Sequence, residues 1–374
     1  MADTQAQKPA VLIIGGLGFI GRHLSLYIHE NHLASEVRLI DKVLPQLAWL
    51  APEFEDACSK DKFVQADASR EQHFARIFDR ANGEQFDYVI NCGGETRYSQ
   101  PDDVYEVRSY NLSIALAREV ARRGIRSFVE CSSAHVYKSG SSPRKEGDKL
   151  EAWHKLAKWN MKATEDLQKI PGLYHVALRL PTVYGEYDPG YFAMGICLAR
   201  VHVDMGKDLE LLYTKNLKLN TLYVKDAASA LWTAAEWRYN APQDGSVPVI
   251  FNVVDHNDTR QEHVAQALSE VFDLKCSFLG SLASQFAKLN MDDVVDEINE
   301  VGLQGWSDLI EEKGIARPGP ISPFFEKDVL RDQDLSIDGT LFEQTTGWKP
   351  SRELFDANCI RDMVESYKRM GWWP

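Results

Sequence analysis

The first residues able to do chemistry are Gly15-Gly16-Leu17-Gly18-Phe19-Ile20-Gly21. They follow the apolar run Ala10 to Ile14, which reads as a buried strand of a parallel sheet. They open a stretch, Phe19 to His32, whose apolar residues Ile20, Leu24, Tyr27 and Ile28 have helical spacing. In that place the glycines have separate reasons. Gly15 permits a tight turn, Gly18 lets the backbone approach a pyrophosphate, and Gly21 lets helix and strand pack closely. Phe19 and Ile20 stand at a helix N-terminus that faces the phosphate charge. An acid is also in place: Asp41 ends a second short strand, Val37 to Ile40, twenty residues past Gly21. A carboxylate there accepts hydrogen bonds from the adenosine ribose and repels a 2′-phosphate. The pattern favours NAD over NADP, a preference weakened by the neighbouring Lys42. Asp67, just after the third strand, is placed either to meet the adenine edge or to cap the segment that follows.

These residues need a scaffold, and the spacing predicts one. Further strands are expected at Phe63 and Val64, ending at Asp67, then at Tyr88 to Cys92, Ser127 to Cys131 and Tyr174 to Leu180. Helices are expected at Arg70 to Ala81 and Val104 to Arg123. Strands alternating with helices make an α/β fold, a doubly wound parallel Rossmann sheet of about six or seven strands. The sheet is expected to fill residues 1–185, with returning segments at about 222–255 that include a helix from Leu222 to Trp237 and a strand at Val249 to Val254. A smaller mixed lobe for substrate takes 186–221 and 256–374. There Thr259, with Glu262 three residues on, reads as a capping box. Met291 to Gly314 reads as an acidic helix, Arg317 to Pro323 as a proline-rich connector, and Arg352 to Met370 as the last helix. The end, Gly371-Trp372-Trp373-Pro374, either packs onto the lobe or docks a partner.

Other segments carry a resemblance. They are Asn91-Cys92-Gly93-Gly94-Glu95-Thr96, Asn111, Cys131-Ser132-Ser133-Ala134-His135-Val136-Tyr137, Arg179-Leu180-Pro181-Thr182-Val183-Tyr184-Gly185 and Leu222-Tyr223-Val224-Lys225-Asp226. With the glycine loop, in this order, they resemble the extended short-chain dehydrogenase/reductases. That group holds the NAD-dependent epimerases and dehydratases and the 3β-hydroxysteroid dehydrogenases. The resemblance implies that Cys92, Gly93, Asn111 and Pro181 line the cofactor and that Ser133 holds a substrate hydroxyl or carbonyl. It also implies an acid/base tyrosine about 25 residues after Ser133, with a lysine four residues beyond it.

No such tyrosine is present between Glu151 and Glu165. Counting from Ser133 puts Lys158 and Lys162 in the two positions. Aligning on Glu165 puts Ala157 and Met161 there, and His154 with Lys158 is a third register. His135 and Lys158 are the candidate substitute acids. The alternatives are a structural His135, and a solvated helix face for Lys158 and Lys162. Ala134 and His135 replace the Asp-Glu pair of 4,6-dehydratases. Leu219, beside Lys218, replaces the arginine that often anchors a nucleotide-sugar diphosphate.

Composition narrows the classes. The chain has 374 residues, 44% hydrophobic and 26% charged, with a formal net charge of -13, which argues against nucleic acid as a partner. Six cysteines without Cys-x-x-Cys spacing predict neither metal nor disulfide framework. The polar stretch Met1 to Pro9 lacks targeting features and Val11 to Ile14 is too short to span a bilayer, so a cytoplasmic protein is expected. A homodimer through Val104 to Arg123 and Lys155 to Ile170 follows from the resemblance. Two functions stay open. One is an atypical NAD-dependent oxidoreductase or epimerase-like enzyme acting on an unknown small molecule. The other is a cofactor-binding pseudoenzyme serving as scaffold or redox-sensing partner.

Overall fold

The computed structural model describes residues 8–280, 285 and 289–374, so most of the polar N-terminal stretch lies outside it. Eleven strands are described: β1 (Ala10–Ile14), β2 (Glu36–Asp41), β3 (Phe63–Gln65), β4 (Tyr88–Asn91), β5 (Ser127–Ser133), β6 (His175–Leu180), β7 (Thr182–Tyr184), β8 (Leu209–Leu211), β9 (Thr221–Tyr223), β10 (Ile250–Asn252) and β11 (Cys276–Phe278). Seven of them form one parallel sheet, in the order β10-β6-β5-β4-β1-β2-β3. The continuous apolar runs follow from this, because helices cover both faces. β1 and β6 are buried along their whole length.

The helices are α1 (Phe19–Glu30), α2 (Phe74–Phe78), α3 (Asp102–Tyr105), α4 (Asn111–Arg123), α5 (Lys155–Leu167), α6 (Tyr191–Asp204), α7 (Val224–Asn240), α8 (Gln261–Phe272), α9 (Met291–Glu312), α10 (Thr340–Thr346) and α11 (Ala357–Arg369). On one face of the sheet, α1 and α7 bury Leu24, Ile28, Ala227 and Leu231. On the other, α2 and α4 bury Ile77, Phe78, Leu116 and Val120. Strand order reverses between β1 and β4, and the crevice at their carboxyl ends is where such sheets receive ligands. Among the described residues, no helix is long and apolar enough to cross a membrane.

Four local expectations are corrected. The stretch Val104 to Arg123 is not one helix: a π-helical turn, Glu106–Tyr110, separates α3 from α4. That turn brings Ser109 and Arg108 onto Glu95, whose amide donates to Ser109 Oγ at 3.1 Å and whose carboxylate accepts from Arg108 at 2.8 Å. Arg70 to Ala81 is only a 3-10 turn followed by the five residues of α2. Thr259 is no helix cap; its buried hydroxyl lies 2.8 Å from that of Thr221, and α8 starts after Arg260. The last helix starts at Ala357, because Ser351 and Arg352 turn their amides onto the Asp226 carboxylate at 2.8 and 3.0 Å.

Candidate active site

The glycine turn follows β1 directly. Gly15 has φ +70°, and a Cβ on it would stand 2.8 Å from the Cys92 carbonyl and the Gly93 Cα. The β1 and β4 turns therefore touch through backbone alone. A Cβ on Gly21 would lie 2.1 Å from the Gly15 oxygen, whereas one on Gly18 meets only that oxygen, at 3.2 Å. Gly21 is closed by packing and Gly18 opens outward. The first turn of α1, with Phe19 and Ile20, has neither a side-chain cap nor an acid. Its free N–H ends and the helix dipole suit an anion.

Asp41 ends β2 beside this turn. Its two carboxylate oxygens accept from the amides of Leu17, at 3.2 Å, and Val43, at 3.1 Å. Asp67 is committed to its own turn: it accepts from the Ser69 amide and hydroxyl at 3.1 and 2.6 Å and pairs with Arg70. It does not cap the following 3-10 helix, whose first flanking residue is Arg70. Cys92 and Gly93 continue β4, and Gly93 donates its N–H to Asn91 Oδ1 at 3.1 Å. Beneath them lies a buried acid absent from the sequence reading. Glu130 accepts from Ser113 at 2.6 Å and Asn91 at 2.9 Å, and burial raises its pKa to about 7. Asn111 is exposed, directly after the π turn, and Pro181 is buried between β6 and β7.

Ser133 ends β5, and its Oγ accepts the amide N–H of His135 at 3.2 Å. The register of α5 decides what faces it. Ser132 Oγ and Thr164 Oγ1, 3.2 Å apart, tie β5 to α5. Ala157, fully buried, and Met161, partly buried, then face a cluster with Ala134, Tyr137, Leu335 and Ile337. Lys158 and Lys162 are exposed, and Lys162 lies over the rings of Tyr110 and Trp159 at 4.4 and 4.8 Å. The inward positions therefore carry alanine and methionine, and the two lysines turn away.

One turn before Ala157 stands His154, 8% exposed, whose Nδ1 accepts the Ala157 amide at 3.1 Å. Its ring lies edge-on to Tyr98 at 4.9 Å and to His135 at 5.5 Å. His135 also packs on Trp153. Burial lowers the His135 pKa to about 3 and that of His154 to about 4, so both imidazoles are neutral at physiological pH. His135 lacks the near-neutral pKa that a titrating proton donor needs.

Residues from the C-terminal part of the chain also reach this cluster through Tyr98. Glu326 accepts the Tyr98 amide at 2.7 Å, and Tyr213 donates its hydroxyl proton to the Leu330 carbonyl at 2.9 Å. Glu95 holds Arg97 and Arg108, and those contacts lower its pKa to about 2. Lys218 pairs with Asp258 at 2.8 Å. Sequence reasoning missed Tyr98, Glu326 and the capping role of His154. Only His154 left a trace, as the residue just before a helical stretch.

Residues 11–253, well over half the chain, match the family model described as the NAD dependent epimerase/dehydratase family. The chain belongs to that family. The chain is 25% identical over 239 residues to an uncharacterized protein of Methanocaldococcus jannaschii, covering 60% of this chain and 71% of that one. Solved structures share its fold, among them three epimerases. ADP-L-glycero-D-manno-heptose-6-epimerase of Helicobacter pylori matches with TM-score 0.66 at 16% identity, over 97% of both chains. UDP-glucose 4-epimerase of Thermus thermophilus, solved with NAD, matches with TM-score 0.63 at 17% identity, over 96% of this chain and 99% of that one. UDP-glucose-4-epimerase of Stenotrophomonas maltophila, with bound NAD and formylated UDP-arabinopyranose, matches with TM-score 0.68 at 16% identity, over 97% of this chain and 98% of that one.

Proposed function

We propose that this protein binds NAD(H) across the carboxyl ends of β1, β2 and β4. We further propose that it carries out an oxidoreductase or epimerase-like reaction on a hydroxyl-bearing small molecule held at Ser133, without a tyrosine on α5. The open, uncapped cradle at Gly18, with Asp41 beside it, carries this reading. Gly15, Gly18, Phe19, Ile20 and Gly21 would hold the pyrophosphate, Asp41 the adenosine ribose in preference to a 2′-phosphate, and Cys92, Gly93, Asn111 and Pro181 the remainder. Bound NAD supplies the hydride acceptor.

The chain's own groups handle the substrate oxygen. Ser133 Oγ accepts from the His135 amide, which leaves its hydroxyl proton to donate outward. His154 has Nδ1 engaged, so its neutral ring carries the proton on Nε2. A neutral imidazole polarises a carbonyl by hydrogen bonding without carrying charge. As a base it is weak, and losing a well-tuned acid/base costs about 10²- to 10⁴-fold in rate. Slow turnover is expected.

The test is NADH fluorescence titration of the purified protein, with mass spectrometry of small molecules released on denaturation. A protein that neither retains nor takes up NAD(H) refutes the proposal. Ala157 and Met161 on the inner face favour a second reading, a cofactor-binding pseudoenzyme. NADH formation from a fractionated metabolite extract, or redox-neutral isomerisation of one of its components followed by chromatography, decides for the enzyme when it is abolished by Ser133→Ala. Cofactor binding with no turnover in any fraction decides for the second reading.

A further inference from the structure

The loop after β4 is held more firmly than packing alone requires, and the side chain it presents is Tyr98. The Tyr98 amide donates to Glu326 at 2.7 Å, and its carbonyl accepts from the Gln100 side chain at 3.0 Å. Tyr105, buried in α3, clamps the loop on both sides of it. Its hydroxyl donates to the Arg97 carbonyl at 2.9 Å and accepts the Gln100 amide at 3.1 Å. Arg97 is paired in turn with Glu95 at 2.9 Å. Ser99 keeps a left-handed backbone at φ 55°. A non-glycine residue holds that conformation only where its surroundings impose it.

The Tyr98 ring stands edge-on to His154 at 4.9 Å, and His154 reaches His135 at 5.5 Å, two residues past Ser133. One contiguous group thus runs from Ser133 to the Tyr98 phenol, on the approach to α5 where Ala157 turns inward. Tyr105 and Tyr137 spend their hydroxyls inside the fold. Among the described residues the Tyr98 hydroxyl makes no hydrogen bond, and it is not sealed from solvent. A loop fixed by α3 and by the C-terminal part of the chain therefore delivers an uncommitted phenol to the substrate side.

We infer that Tyr98 is a catalytic residue supplying the phenol that α5 lacks, with Tyr105 and Glu326 as its positioning residues. The inference rests on the enzyme reading given under Proposed function. One proton changes hands. A substrate hydroxyl held at Ser133 gives its proton to the Tyr98 oxygen; its O–H and C–H bonds break, the C=O bond forms, and the hydride leaves carbon for bound NAD+. In the return direction the phenol gives the proton back. Facing the phenol are Glu326 and Asp328, Tyr105 from α3, Tyr191 from α6 and His154 ahead of α5. Burial, then the two carboxylates, push its pKa up to about 12. Tyr98 is a ready acid and a scarce base. Both the NADH-forming and the isomerising reaction begin by taking the proton, so turnover should climb about tenfold per unit between about pH 6 and 9. His135 and His154, at about 3 and 4, have finished titrating below that range.

Turnover of the active extract fraction is measured against pH in the full chain and in Tyr98→Phe and Tyr105→Phe, with NADH affinity and melting temperature beside it. Tyr98→Phe keeps the ring on His154 and removes a hydroxyl that bonds to nothing in the fold. Its melting temperature and NADH affinity should match wild type. Its turnover should fall about 10²- to 10⁴-fold and the climb with pH should vanish. Tyr105→Phe loosens the loop, so turnover should drop several-fold while the climb remains. A Tyr98→Phe protein with wild-type turnover and slope overturns the inference. So does one whose melting temperature and NADH affinity fall along with turnover, since Tyr98 would then serve packing. No turnover by the unmodified chain in any fraction refutes the enzyme reading, and this inference with it.

Discussion

His154 Nδ1 accepts the amide N–H of Ala157 at 3.1 Å, so a single imidazole caps α5 and stands one turn before Ala157, one of the three positions the sequence offers for the tyrosine. The two roles separate by substitution. His154→Ala loses cap and ring, and is expected to cost about 1 kcal/mol of stability. His154→Asn keeps a capping acceptor and should unfold at the wild-type temperature. Turnover should fall in both. An Asn variant with full activity would remove the imidazole from the chemistry.

Ala157 is fully buried among Ala134, Tyr137, Leu335 and Ile337. Ala157→Tyr therefore overpacks the cluster and is expected to destabilise the protein by about 1–3 kcal/mol, read by urea unfolding. A stable variant with raised activity would show instead that the space is free and the catalytic position only vacated.

At the cradle, two glycines should fail differently. Gly18→Val keeps its circular dichroism but loses NADH binding, because the side chain, tight only against the Gly15 oxygen at 3.2 Å, otherwise fills the cradle. Gly21→Ala should disrupt the turn itself, since its Cβ would stand 2.1 Å from the Gly15 oxygen. Undiminished affinity in Gly18→Val would move the cofactor elsewhere.

Asp41→Asn removes the charge that repels a 2′-phosphate and keeps one oxygen acceptor, enough for either the Leu17 or the Val43 amide but not both. The ratio of NADPH to NADH affinity should rise about tenfold. A constant ratio means that Asp41 serves only its two amides.

Glu130 should leave a signature in stability against pH. Burial raises its folded pKa from 4.5 to about 7, despite the hydrogen bonds from Ser113 and Asn91. Folded Glu130 keeps a proton that the unfolded chain has already released. Its stabilisation is complete below about pH 4.5 and is lost as pH rises through about 7. Urea unfolding between about pH 5 and 8 should show a slope shallower by up to one proton in Glu130→Gln than in wild type. Parallel slopes would place the titration on another group, such as Asp188 or Asp255, each also raised to about 7 by burial.

The sheet and the cradle were legible because their signals are local. A buried parallel strand needs an apolar run, and a backbone approach needs glycine, so β1 and Gly15 to Gly21 read directly. The register of α5 did not. Ala157 with Met161 and Lys158 with Lys162 have identical spacing, and the choice depends on the distant contact between Ser132 and Thr164. The π turn at Glu106–Tyr110 was equally hidden, since apolar spacing continues through it while its cause, Glu95, lies in another segment. Asp226 was recognised as a motif residue, but its hold on Ser351 and Arg352, which delays α11, spans 125 residues.

β6 pairs with β5 on one side and with β10 on the other, and seventy residues separate the end of β6 at Leu180 from Ile250. During synthesis the nascent chain therefore exposes a bare strand edge carrying Val176, Ala177, Leu178 and Leu180 until Asn252 has cleared the ribosome. Such an edge is a template for pairing with other chains. Yield from a cell should accordingly depend on chaperone supply during that interval more than on the stability of the finished protein.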